Sequence, residues 1–291
     1  MKRRVLLSTT FMLCSILASS TARYPVTGLI LKIDRPHRKF VASCAAIPGY
    51  MESMIMTYSV RDEKLFDGLR PGVHAEFTLV VESKDSYVEN IRVHHYQSAE
   101  LEPLRARRLQ LLLDPEARNS ETRGLAIGQP VPNFVLTDQT GQQVALSQFA
   151  GKVVALTFIY TSCPLPAYCF RLSNNFGRLK HRFARRMGMD LVLLSITFDP
   201  VHDRPEVLAK YASTWKADPH SWRFLTGTLS EVKTVCRMFG LNFWQDEGTL
   251  THSLHTIIVD RHGKLAANFE GNELTAEQLG DFVEVSLDQR H

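Results

Sequence analysis

The stretch Val153-Val154-Ala155-Leu156-Thr157-Phe158-Ile159-Tyr160-Thr161-Ser162-Cys163-Pro164-Leu165-Pro166-Ala167-Tyr168-Cys169 decides how this chain reads. Its first half, Val153 to Tyr160, is a near-continuous apolar run of strand length, the pattern of a strand buried on both faces in an α/β sheet. Beyond the second cysteine, Leu172, Phe176, Leu179 and Phe183 recur at helical spacing. One thiol therefore follows a buried strand, and the other stands near a helix start. Free amides and the positive end of the helix dipole stabilise a thiolate there, favouring both nucleophilic attack and metal binding, and Arg171 adds to that field. A plain disulfide closed over the five residues Pro164 to Tyr168 is equally allowed by the spacing.

The same alternation extends through the C-terminal half. Leu191 to Phe198 and Thr256 to Asp260 are further apolar runs, and Val232, Val235, Cys236 and Phe239 fall on one helix face, which makes Cys236 a core residue. The predicted fold of residues 124–291 is an α/β sheet with helices on its faces. The N-terminal half differs. Gly28 to Ile33, Lys39 to Ser43, Met54 to Val60, Ala75 to Val81 and Tyr87 to Val93 are short apolar stretches between turn residues, which predicts a small all-β barrel over residues 23–97. Between the two, leucines at 101, 104, 109 and 112 among arginines, followed by the polar stretch 114–123, predict a helical linker over 98–123.

Met1 to Arg4 are basic after the initiator, Val5 to Ala18 are apolar, and small residues run to Ala22, which is the pattern of a cleaved secretory signal over residues 1–22. That apolar run is shorter than the roughly 20 residues of a bilayer span. Export with cleavage near Arg23 is the expectation, and membrane tethering through a retained signal is the alternative. Cys14 is preceded by the bulky Met12 and Leu13, so no lipid anchor is expected. Four cysteines, 44, 163, 169 and 236, then remain in an oxidising compartment. The formal net charge is +4, spread along the chain apart from Arg105, Arg107 and Arg108 on the linker helix, so nucleic-acid binding is not expected.

Phe134 to Asp138 with Gly141, the cysteine segment, Asp199-Pro200 with Asp203 and Pro205, and a histidine ahead of the last long strand together resemble the Sco/SenC family of thioredoxin-like copper proteins. The resemblance implies copper held by Cys163, Cys169 and His252, the histidine eight residues before Asp260. It also implies a metallochaperone serving a protein acceptor such as the copper subunit of cytochrome c oxidase. His255 competes for the third position, His202 is a weaker auxiliary candidate, and Asp203 reads as the cap of the helix starting near Pro205. The commonest family pattern has three residues between the cysteines and proline after the second. Here there are five, and Phe170 follows. A thioredoxin-like pair also allows a thiol–disulfide oxidoreductase, with Cys163 attacking and Cys169 resolving.

In the first unit, Met51, Met54 and Met56 lie within six residues, and Met54 and Met56 share one face of a strand. Core packing is the ordinary role of such methionines. Residues 26–96 also resemble the CusF-type periplasmic copper-binding domain, an oligonucleotide-binding-like barrel. That resemblance implies a second copper site from Met54 and Met56, with Cys44 where the family has histidine and Tyr50 as aromatic cap. His94 and His95 read as exposed polar residues.

Overall fold

A sheet unit and an α/β unit share a seam. The computed structural model describes residues 21–83, 85–94, 124–241, 243–246, 249–252, 254–271 and 273–288. Residues 1–20 of the expected signal at 1–22, and the linker at 98–123, lie outside the described residues.

The first unit is a five-stranded antiparallel sheet of β1 (Ala22–Asp34), β2 (Lys39–Cys44), β3 (Met54–Ser59), β4 (His74–Val81) and β5 (Ser86–His94), in the order β3-β2-β1-β4-β5. Each expected apolar stretch has become a strand. The expected barrel is not shown: among the described residues the edge strands are joined through one bridge, Val60 to Val88, and not through a closing ladder. Alternation along the strands splits the side chains in two. Val26, Ile30, Phe40, Ala42, Cys44, Tyr58 and Phe77 form the unit's own core, whereas Leu29 and Leu31 join the core of the second unit.

The second unit is a seven-stranded mixed sheet. Its strands are β6 (Val135–Asp138), β7 (Gln143–Ala145), β8 (Val153–Ile159), β9 (Leu191–Thr197), β10 (Trp222–Thr226), β13 (His255–Val259) and β14 (Leu265–Glu270), in the order β14-β13-β8-β9-β10-β6-β7. Strands β11 (Phe243–Asp246) and β12 (Thr249–His252) form a separate hairpin. Every residue of β8 and β9 is buried, as their apolar runs require. The helices are α1 (Arg171–Arg182), α2 (Pro205–Thr214), α3 (Leu229–Met238) and α4 (Ala276–Asp288). The parallel unit β8–α1–β9 and the antiparallel unit β13–β14–α4 share the sheet, which is the thioredoxin arrangement. Cys236 is buried on α3, and burial pushes its thiol up to about 12, as a core residue requires.

The seam between the units is built from β1, β2 and α4. Ser43 Oγ donates to Asp281 Oδ2 at 2.6 Å, and Asp281 also receives Arg182 Nη2 at 2.8 Å. Gly72, at φ +88°, lies so close to β14 that a Cβ there would stand 3.1 Å from Cβ of Ala267. Among the described residues no helix is long and apolar enough to cross a membrane.

Candidate functional site

Strand β8 delivers Tyr160 and then Cys163 to the end of the sheet. Of the five residues between the cysteines, Pro164 and Leu165 lead into a wide helical turn over Pro166–Phe170 that carries Cys169 itself and in which Tyr168 departs from helical geometry at φ −113° and ψ −106°. This break lets the longer loop return its second thiol to the start of α1. Cys163 is half-buried and Cys169 is buried, and neither is in a disulfide. The hydrogen bond from Cys169 holds the Cys163 thiol well below its ordinary value, to about 5. Backbone groups of Leu165 and Cys169 and the Tyr160 hydroxyl act in the same direction against the cost of burial. Cys169 moves upward, because its proton is shared with Cys163 and because it is buried. The pair is thus asymmetric: one accessible thiolate, one protonated thiol behind it.

The loop is pinned by Asp203, whose role is corrected here. The cap position of α2 is Arg204, which has no side-chain cap bond, and Asp203 turns instead toward the cysteine loop. Its carboxylate accepts from Thr161 N at 3.0 Å, Thr161 Oγ1 at 2.5 Å and Thr197 Oγ1 at 2.6 Å. It is buried at 1 % exposure, and that burial, with Asp199 nearby, raises its pKa despite the three hydrogen bonds. Asp199 pairs with Nδ1 of the exposed His202 at 2.9 Å.

His255 is a core residue. It is buried on β13, its Nδ1 lies 2.7 Å from Asn268 Oδ1, and Asn268 Nδ2 donates to Phe239 O at 2.8 Å. Burial lowers its pKa, against the hydrogen bond with Asn268. The backbone of His252 ends β12 opposite Phe243. The Phe243 ring is 5.6 Å from Phe198, whose ring is 5.1 Å from Tyr160, so the hairpin is tied to the end of β8 that carries Cys163. The side chain of His252 lies outside the described structure. Among the described residues no three His, Cys, Asp or Glu side chains surround one point, and the described part of the centre is the thiol pair. Phe170 is 57 % exposed with its ring 5.2 Å from Trp215.

In the first unit, Cys44 and Met54 are directly opposite across β2 and β3, and Met56 lies one pleat further along the same face. Cys44 is buried with Sγ 3.1 Å from Tyr58 Oη, and Tyr58 Oη donates to Met56 Sδ at 3.7 Å. Burial pushes the Cys44 thiol up to about 11. Met54 is half exposed. Tyr50, expected as a cap, stacks on Tyr24 with ring centroids 3.9 Å apart. Tyr58, Tyr160 and the true role of Asp203 were missed from sequence, since no local spacing signals a contact across strands or between loops.

The sequence model of the SCO1/SenC family matches residues 125–286. The SCO1 protein homolog of Bacillus subtilis is 27 % identical over 149 residues, covering 50 % of this chain and 76 % of its own. A Stutzerimonas stutzeri protein named "Putative copper-binding protein" is 30 % identical over 142 residues, 46 % of this chain and 66 % of its own. The crystal structure of yeast Sco1 with copper bound superposes with a TM-score of 0.47 at 26 % identity, covering 57 % of this chain and 91 % of that one. Because the family match runs over more than half of the chain and through both cysteines and His252, the chain belongs to the SCO1/SenC family.

Proposed function

We propose that this chain is an exported copper-binding metallochaperone that takes copper as cargo on Cys163, Cys169 and His252 and passes it to a protein acceptor of the cytochrome c oxidase copper-centre kind. The observation that carries the reading is the asymmetric thiol pair: a half-exposed Cys163 of low pKa beside a protonated, buried Cys169. Thiolates are soft donors that select copper(I), and a positioned imidazole completes a three-coordinate set that also tolerates copper(II). Copper binding to the pair releases the Cys169 proton, so affinity rises with pH. Family membership and the copper-binding name of the Stutzerimonas relative support the same cargo. The basic start and short apolar run of residues 1–22 support export to the periplasm.

The test is copper(I) titration of the reduced protein against a competing chelator. Loss of Cys163, Cys169 or His252 is expected to weaken binding at least tenfold, while Cys236→Ser leaves it unchanged. Equal affinity for wild type and His252→Ala would remove His252 from the set.

The same asymmetry favours a second reading, thiol–disulfide exchange with a partner. The Cys163 thiolate attacks a partner disulfide, one partner thiolate leaves, and Cys169, on losing its proton, attacks Cys163 and releases the other. The partner gains the two electrons that the chain's dithiol gives up. A disulfide-reduction assay on the same preparation separates the two, since His252→Ala spares exchange and impairs copper binding.

In the first unit the proposed second copper site keeps Met54, Met56 and Cys44 as its donors. Their shared face supports it. Cys44 enters only by losing a proton that burial holds, a cost that the hydrogen bond with Tyr58 partly offsets.

A further inference from the structure

The seam between the units carries a cluster that the thiol centre does not use. His74 opens β4 and His94 closes β5, and the two are directly paired across the strands, so their side chains stand on the same face with Cβ atoms about 5 Å apart. That face is the one turned away from the first unit's core, since the alternate residues Ala75 and Phe77 are buried within it. Glu76 is next on the same face, and its Oε1 lies 3.1 Å from His94 Nε2, with both side chains more than half exposed. Across the seam, Glu273 of the second unit, in the segment between β14 and α4, is close enough to act electrostatically on His74. Burial, the larger effect, lowers the His74 pKa and favours its neutral, ligating form.

We propose that His74, His94 and Glu76 form a binding site for copper(II) at the seam, with Glu273 of the second unit as the carboxylate facing it. Imidazole and carboxylate donors without thiolate suit copper(II), in contrast to the soft thiol pair. His94 and Glu76 at present satisfy each other, and among the described residues no three such groups already converge on one point. The ion therefore replaces the His94–Glu76 contact and draws His74 in by side-chain rotation. Arg92, opposite Glu76, opposes this by its charge, and Glu273 offsets it. Two other exposed pairs, His37 with Asp34 and His202 with Asp199, each have a single imidazole and serve as internal controls. The inference does not rest on the function proposed for the cysteines.

The experiment uses the full chain carrying Cys163→Ser and Cys169→Ser, titrated with copper(II) and followed by electron paramagnetic resonance. One equivalent with two coordinated imidazole nitrogens is expected. His94→Gln, at an exposed position, should leave one nitrogen and weaken binding at least tenfold. The His74→Gln, His94→Gln double variant should abolish the signal, and Glu273→Gln should weaken binding several-fold. His37→Gln should change nothing. Copper(II) should also raise the melting temperature of the parent and not of His94→Gln. An unchanged spectrum and affinity in His94→Gln would overturn the proposal, as would a signal lost only with His252→Gln.

Discussion

Asp203 shows what a single buried carboxylate does to the neighbourhood of a thiol. Asp203→Ala leaves the Thr161 amide and two hydroxyls without their acceptor; the Thr161 groups are part-buried and Thr197 Oγ1 is buried, and a fully buried unsatisfied group costs about 1–3 kcal/mol. The variant is expected to lose about 2–4 kcal/mol in urea unfolding and to bind copper(I) more weakly, because the loop that presents Cys163 is no longer held. A second outcome concerns proton affinity. With the Cys163 pKa near 5, its alkylation by iodoacetamide should already be close to its plateau at pH 7, whereas an ordinary thiol still accelerates up to about pH 9. Cys169→Ala removes the leading cause of the depression, so the profile should move to higher pH; a profile that stays in place would show that the thiol partner is not the source. Both cysteines were legible from sequence because strand end and helix start are local signals. Asp203 was not, because its acceptor role spans two loops and only the folded sheet brings Thr161 and Thr197 to it.

The five strands of the first unit and β8, β9, β13, α1 and α3 were legible, since burial on one or both faces writes itself into spacing, whereas β7, β10, β11, β12, β14 and α4 were not singled out. Closure of the first sheet was not legible, because a barrel and an open sheet share the same alternation, and the difference lies in the pairing of edges. Gly28 is an element-scale constraint that composition alone hides. A Cβ there would stand 2.9 Å from Cys44 Sγ and 3.0 Å from Ser43 O, so Gly28→Ala should force β1 and β2 apart and cost about 1–3 kcal/mol in thermal or urea unfolding. The start of α3 carries a reciprocal cap: Thr228 Oγ1 accepts from Glu231 N at 3.2 Å, and Glu231 Oε2 accepts from Thr228 N at 2.7 Å. Thr228→Ala is expected to lower stability by about 1 kcal/mol in the same assay without altering copper affinity.

At the scale of the molecule, β1 belongs to two cores at once, Ile30 to the first and Leu29 and Leu31 to the second. All three tryptophans, at 215, 222 and 244, lie in the second unit, so their fluorescence reports that unit alone. Leu29→Ala, a change in the first unit, should nevertheless shift the tryptophan unfolding transition by about 2–5 kcal/mol if the cores are continuous. An unmoved transition would mean that the units unfold separately. Continuity of this kind limits inheritance. A thioredoxin-like unit that relies on a neighbour's leucines for part of its interior cannot be recombined with an arbitrary partner domain; a chimera keeps its fold only when the donor sheet brings equivalents of Leu29, Leu31, Ser43 and Gly72 in the same register, so these positions should drift together through descent.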